Sequence, residues 1–112
     1  MTHAEVAAML SAVMVPVAYH AFPETGQQPP FICYYYTGDN DFVADDVNYQ
    51  RIDHLIVELY TDEKDFALEK AVESALNGHG LVYTRQETYL DDERMHETIY
   101  ETDVIITEVT NG

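Results

Sequence analysis

A chain of 112 residues with 46% apolar and 23% charged side chains makes one globular domain, 1–112. A chain of that size hides about 65% of its unfolded surface, enough for one modest core. Five Lys and Arg stand against 21 Asp and Glu, a net charge of −16; that excludes a general nucleic-acid binder, because phosphate contacts need a basic surface.

The first element is a helix. Thr2-His3-Ala4-Glu5 has the capping-box pattern, with a Thr hydroxyl that accepts from the Glu5 amide and a Glu side chain that reaches back. Val6, Met9, Leu10 and Val13 follow at i, i+3, i+4 and i+7, and Pro16 stops the helix by biasing Val15 out of the helical region. Residues 17–22 read as a short strand, 24–30 as a loop, and 31–36 as a strand by aromatic and β-branched content. Gly38 to Asp41 supply turn chemistry, and residues 42–46 predict a small bend or bulge.

Residues 47–60 form the longest predicted strand. Leu55, Val57 and Leu59 share one face, and Ile52, Ile56 and Tyr60 share the other. Such a strand needs two covers: the helices of its own domain, and a second subunit. Thr61-Asp62 is the expected cap of a second helix, with Leu68, Ala71, Val72, Ala75 and Leu76 as its buried stripe and Asn77-Gly78 as its end. Asp65, Glu69 and Glu73 recur at i, i+4 and i+8 and are expected to face water, since like charges repel. Residues 81–90 and 95–109 complete a long hairpin with an acidic tip at 91–94. The order predicts an α+β fold: a single domain with one antiparallel β-sheet, both helices packed on one face, and a long C-terminal β-hairpin.

Little in the chain points to catalysis. The single cysteine, Cys33, excludes an internal disulfide, and its apolar setting predicts a buried, inert thiol. His3, His20, His54, His79 and His96 include no H-x-x-x-H pair and no zinc spacing. The acids from Asp39 to Asp46 invite a calcium reading but lack the EF-hand's glycine and terminal glutamate, so a solvated loop is expected. No G-x-S-x-G, P-loop or G-x-G-x-x-G occurs. The expectation is no enzyme, no catalytic residue, no cofactor and no metal. Residues 6–18 are apolar enough for a signal-peptide core, but no Lys or Arg precedes Arg51; no stretch approaches the roughly 20 apolar residues of a membrane helix. A soluble, cytoplasmic chain is expected.

Nine tyrosines, three consecutive at Tyr34-Tyr35-Tyr36, are many for this length and suit a contact surface. Alternation keeps Tyr35 from sharing a side with its neighbours. The candidate subunit contacts are Tyr34, Tyr36, Phe42, Ile52, Ile56 and Tyr60.

The strings Val15-Pro16-Val17-Ala18-Tyr19-His20, Phe22-Pro23 and Pro29-Pro30-Phe31, leading into Tyr34-Tyr35-Tyr36, resemble a family of small tail-region proteins encoded by prophages of Gram-positive bacteria. The resemblance runs through Asn40 and residues 42–46, and is strongest in Tyr49-Gln50-Arg51-Ile52-Asp53-His54-Leu55, Glu58-Leu59-Tyr60-Thr61, Glu63-Lys64-Asp65 and Leu68-Glu69. This family is that of the tail-completion or tail-terminator proteins of long-tailed phages. The resemblance implies an α+β subunit that forms a homo-oligomeric ring, a hexamer, on the head-proximal end of the tail tube. Its partners would be the major tail tube protein and a head-side connector protein, without direct nucleic-acid binding and without a membrane. The chain would assemble in the bacterial host cytoplasm and end in the virion tail. The acidity suits a lumen through which DNA slides, with Asp39, Asp41, Asp45 and Asp46 or the tip Asp91, Asp92 and Glu93 lining it. Two alternatives stand beside this reading: another head–tail neck joining component, and an acidic DNA-mimic inhibitor of a host DNA-binding protein.

Overall fold

The capping box is formed in the computed structural model, which describes residues 1–22, 26–39, 42–43 and 49–107. The Thr2 hydroxyl accepts from the Glu5 amide at 3.0 Å, the Glu5 carboxylate accepts from the Thr2 amide at 3.1 Å, and α1 spans His3–Ser11. Its residues Val6, Met9 and Leu10 are buried. There follow β1 (Val17–Tyr19), β2 (Phe31–Asp39), β3 (Phe42–Val43), β4 (Tyr49–Thr61), α2 (Phe66–Gly78), β5 (Tyr83–Leu90) and β6 (Met95–Ile106).

The class is α+β. The sheet runs β1-β2-β4-β6-β5, with β3 paired to β4 off that path. β4 is therefore central: it pairs with β2 from Phe31↔Tyr60 to Asp39↔Asp53, and with β6 from Thr61↔His96 to Arg51↔Ile106. One correction concerns direction. The sheet is mixed, because β1 lies parallel to β2 with Val17 beside Ile32. Between β1 and β2 the chain returns to the start of the sheet, the crossover that a parallel pair requires. β1 also ends earlier than expected, at Tyr19, because the φ of 72° at His20 leaves the extended region. Gly38 is inserted as a bulge where the register shifts between Thr37 and Asp39, its φ of 64° being one that glycine adopts without steric cost. Of the expected bend at 42–46, Phe42 and Val43 form β3, and the rest lies outside the described residues.

Alternation along β4 separates its two faces as the sequence predicts. Leu55, Val57 and Leu59 point to the helices and join Val6, Met9 and Leu10 of α1, Val72 and Leu76 of α2, and Ile32, Tyr100, Val104 and Ile106 in one core. Both helices thus sit on one face of the sheet.

Both ends of α2 differ from the expectation. Thr61 is not a cap: it is buried and paired with His96, since extending β4 by one residue satisfies its backbone in the ladder. The cap is Asp65, whose carboxylate accepts from the Leu68 amide at 2.9 Å. The left-handed residue after the helix is Gly80 (φ 73°) rather than Gly78. Leu81 donates to the Leu76 carbonyl and Gly80 to that of Asn77, a Schellman ending.

Glu69 is the larger correction, because it is 4% exposed instead of facing water. Lys64 Nζ donates to it at 3.1 Å, and the Arg85 guanidinium also pairs with it. Arg85 reaches Glu73 at 3.4 Å and Glu87 at 2.8 Å, and the Tyr100 hydroxyl donates to Glu73 at 2.8 Å. Arg85 shares the helix side of β5 with Tyr83, so the acidic side of α2 lands on a cation.

Two stability outcomes follow from these contacts. Leu55→Ala should cost about 2–5 kcal/mol in urea unfolding, whereas Ile56→Ala, on the face without helices, should cost under about 1.5 kcal/mol; equal costs would contradict the assignment of faces. Glu69→Ala should lose about 2 kcal/mol, discounted because its cations are partly exposed, and a neutral result would remove the network's structural role.

Candidate functional site

The face of the sheet that no helix covers is built from the even residues of β4 and their register partners. Ile52, His54, Ile56, Glu58 and Tyr60 form its spine. Phe31, Cys33 and Tyr35 of β2 flank it on one side, and Glu97, Ile99, Glu101, Asp103 and Ile105 of β6 on the other. Most are half-buried already; Ile105 is 49% exposed.

Aromatic and charged groups alternate across this face. Phe31 stacks on Tyr60 with centroids 4.7 Å apart, Phe22 meets Phe31 edge-on at 5.4 Å, and His20 lies 5.7 Å from Tyr35. The Tyr60 hydroxyl donates to Glu58 at 3.1 Å. Burial, and then the neighbouring Glu97 carboxylate, push the Glu58 carboxyl above its usual range, while burial and the same carboxylates push the Tyr60 phenol far up. Further along, His54 Nε2 donates to Glu101 at 2.9 Å and Nδ1 to Asp103 at 2.8 Å. Donation from both nitrogens requires the imidazolium, and these bonds raise the His54 pKa against the opposing effect of burial.

The sequence-predicted contacts fall on two different faces. Ile52, Ile56 and Tyr60 are together on the open face. Tyr34 and Tyr36 point the other way, toward the helix layer, and pack on the core. There they cluster with Tyr19, 5.3 Å from Tyr34, and with His3, 5.0 Å from Tyr36, around a cavity of about 450 Å³ that Arg51 and Asp53 also line. Asp53 is buried; His3 Nε2 donates to one of its oxygens at 2.9 Å and Arg51 Nε to the other at 3.0 Å. Burial alone would raise its carboxyl, but these two bonds outweigh burial and hold it below the usual carboxylate range. Phe42 is paired with Gln50 in β3, and its side chain lies outside what is described.

Among the predicted acids, Asp91, Asp92 and Glu93 are exposed at the β5–β6 turn. Asp39 closes β2 opposite Asp53, at the other end of the sheet, and Asp41, Asp45 and Asp46 lie outside the described residues. Asp39 and the hairpin tip are thus separated by most of the length of β4.

Glu58, Glu97 and the His54–Glu101–Asp103 bridge were missed in the sequence. Glu58 was legible in part, since alternation puts it between Ile56 and Tyr60, but its partners come from β6. Cys33 is buried on this face, and burial followed by Glu58 pushes its thiol up, away from the reactive thiolate. No group of three or more His, Cys, Asp or Glu side chains suited to a metal occurs among the described residues. No helix there is long and apolar enough to cross a membrane.

No protein-family model matches the sequence, and no curated protein does. The fold is similar to that of a chain in the solved structure described as the virion of a native gene transfer agent particle. The match has a TM-score of 0.53 at 16% identity, and covers 86% of this chain and 84% of that one. At that identity the likeness is one of fold.

The titrating groups fix how stability should vary with pH. Glu58, raised in the fold above its ordinary 4.5, penalises the folded state when ionised, and the penalty lifts as pH falls through its folded pKa. The His54 contribution is fully present below 6.5 and is lost as pH rises through its raised folded value. Asp53, held below 3.8, stabilises above that value and stops doing so as pH falls through its folded pKa. Thermal melts should therefore show greatest stability between 3.8 and 6.5, with a decline toward alkaline pH that Glu58→Gln makes shallower. A Glu58→Gln profile parallel to that of the parent chain would contradict this.

Proposed function

We propose that this chain is a structural subunit of a phage-like virion that caps the head-proximal end of the tail tube and helps join tail to head as a ring. The observation that carries the reading is the uncovered face of β4. It presents Ile52, Ile56, Tyr60, Ile99 and Ile105 beside the helix-packed core, and a subunit that buries this face gains a second layer. The fold likeness to a chain of a virion supports it, as does the resemblance of the β4 and α2 strings to tail-terminator proteins. The role requires no catalysis. Its partners are further copies of the chain, the tail tube protein and the head-side connector. The exposed tip at Asp91, Asp92 and Glu93 offers carboxylates that repel phosphates, which suits a hole through which DNA passes.

A charge of −16 opposes self-association at low salt, so the ring should be favoured by screening. Light scattering across protein concentration at low and physiological salt should show a species near ~77 kDa, six copies of a 12.8 kDa chain, that grows with salt. Ile56→Asp, which puts a charge on the open face, should abolish it. A monomer under all conditions that binds basic proteins tightly, and more weakly as salt rises, would overturn the ring in favour of a DNA mimic.

A further inference from the structure

At the tip end of the open face lies a groove of about 430 Å³ lined by aromatic rings and by two carboxylates. Phe22, Phe31 and Tyr60 line it together with Cys33 and Glu58 of the sheet, and Glu93 reaches it from the β5–β6 turn. Phe31 is buried, stacked on Tyr60 at 21° from parallel with Phe22 edge-on to it, so the half-buried Tyr60 ring is the aromatic surface beside the Glu58 carboxylate. Tyr60 is the hydroxyl donor to Glu58, and Glu97, a second carboxylate, lies next to it. Among the described residues no Lys or Arg pairs with Glu58, although all five cations of the chain are described. Arg51 is held by Asp53, and Lys64 and Arg85 by Glu69.

We propose that this groove receives an arginine side chain from a different, basic protein. The guanidinium would lie against the Tyr60 ring, which Phe31 backs, and pair with Glu58. A planar, weakly hydrated cation suits an aromatic wall beside a carboxylate better than an ammonium does. Two half-buried carboxylates gain a counter-charge that the chain itself does not supply.

In this groove, unlike the apolar stretch around Ile56, a second copy fits poorly. Among the described residues its cations outside ion pairs are Lys70 and Arg94, and Arg94 follows Asp91, Asp92 and Glu93 directly, which would bring three acids toward Glu58 and Glu97. The opposite sign on the partner follows from the charge of −16. This inference deepens the reading of the open face as a docking surface and rests on it.

The test uses the whole chain and the peptide acetyl-Gly-Arg-Gly-amide, with the citrulline and lysine peptides as controls, followed by amide and aromatic NMR shifts. Saturable shifts grouped at Phe31, Glu58 and Tyr60 are expected with arginine, at about millimolar affinity. Binding should weaken about tenfold or more with citrulline and in Glu58→Gln, and lysine should bind more weakly than arginine. Phe31→Leu keeps the carboxylate and removes the ring that holds Tyr60 in place, so it should weaken arginine but not lysine. Each variant's folded state is read from the same spectra. Equal binding of citrulline or lysine, no saturable shift, or shifts confined to residues 91–92 would overturn the proposal. The readout needs no ring: saturable arginine binding by a chain that stays monomeric in light scattering would uphold the groove while the ring fails, and a ring without arginine binding would do the reverse.

Discussion

β4 cannot be satisfied by one layer. Its odd residues Leu55, Val57 and Leu59 are closed off by two helices, while its even residues Ile52, Ile56 and Tyr60 are also apolar or amphipathic and have no helix over them. The other elements serve the first face. α1 is fixed by its capping box, α2 by Asp65 and by Arg85 from β5, and the strands on either side of β4 extend the surface on which the helices rest. What remains is a sheet with one dry face and one face that no helix covers.

Charge decides what that cover can be. Three of the five cations are committed inside the chain: two hold α2 to the sheet and one, Arg51, pairs with the buried Asp53, which also accepts a hydrogen bond from His3. The open face keeps carboxylates at Glu58, Glu97, Glu101 and Asp103, and His54 offsets the latter two. The apolar residues favour association, and the acids select against an equally acidic surface. Copies of the chain that meet through this face must offset the acids, whereas a basic partner is drawn to them.

Much of the fold was legible because it is written in local pattern. The Val6-Met9-Leu10 stripe and the two faces of β4 follow from spacing of 3.6 and two residues, and the capping box and the acidic hairpin tip from residue type alone. The larger misses share a different origin, since they depend on neighbours distant in sequence. Thr61 reads as a cap until β6 offers it a ladder partner. Glu69 reads as solvated until Arg85 arrives from β5. The direction of β1 is set by the return path between β1 and β2, which no periodicity encodes. Within the candidate site, alternation foretold that Ile52, Ile56 and Tyr60 would share a side. The tyrosine count could not say that Tyr34 and Tyr36 would face the helices with Tyr19, because a run of one residue type carries no phase of its own.

The central claim is that the uncovered face of β4 is buried in the assembled particle. Carbodiimide labelling of carboxylates, read by peptide mass spectrometry, compares the free chain with the chain in intact phage-like particles. Labelling of Glu58, Glu97 and Glu101 should fall sharply on assembly, while Glu63, exposed between β4 and α2, serves as the reference. Equal labelling of the three in both states would contradict the account.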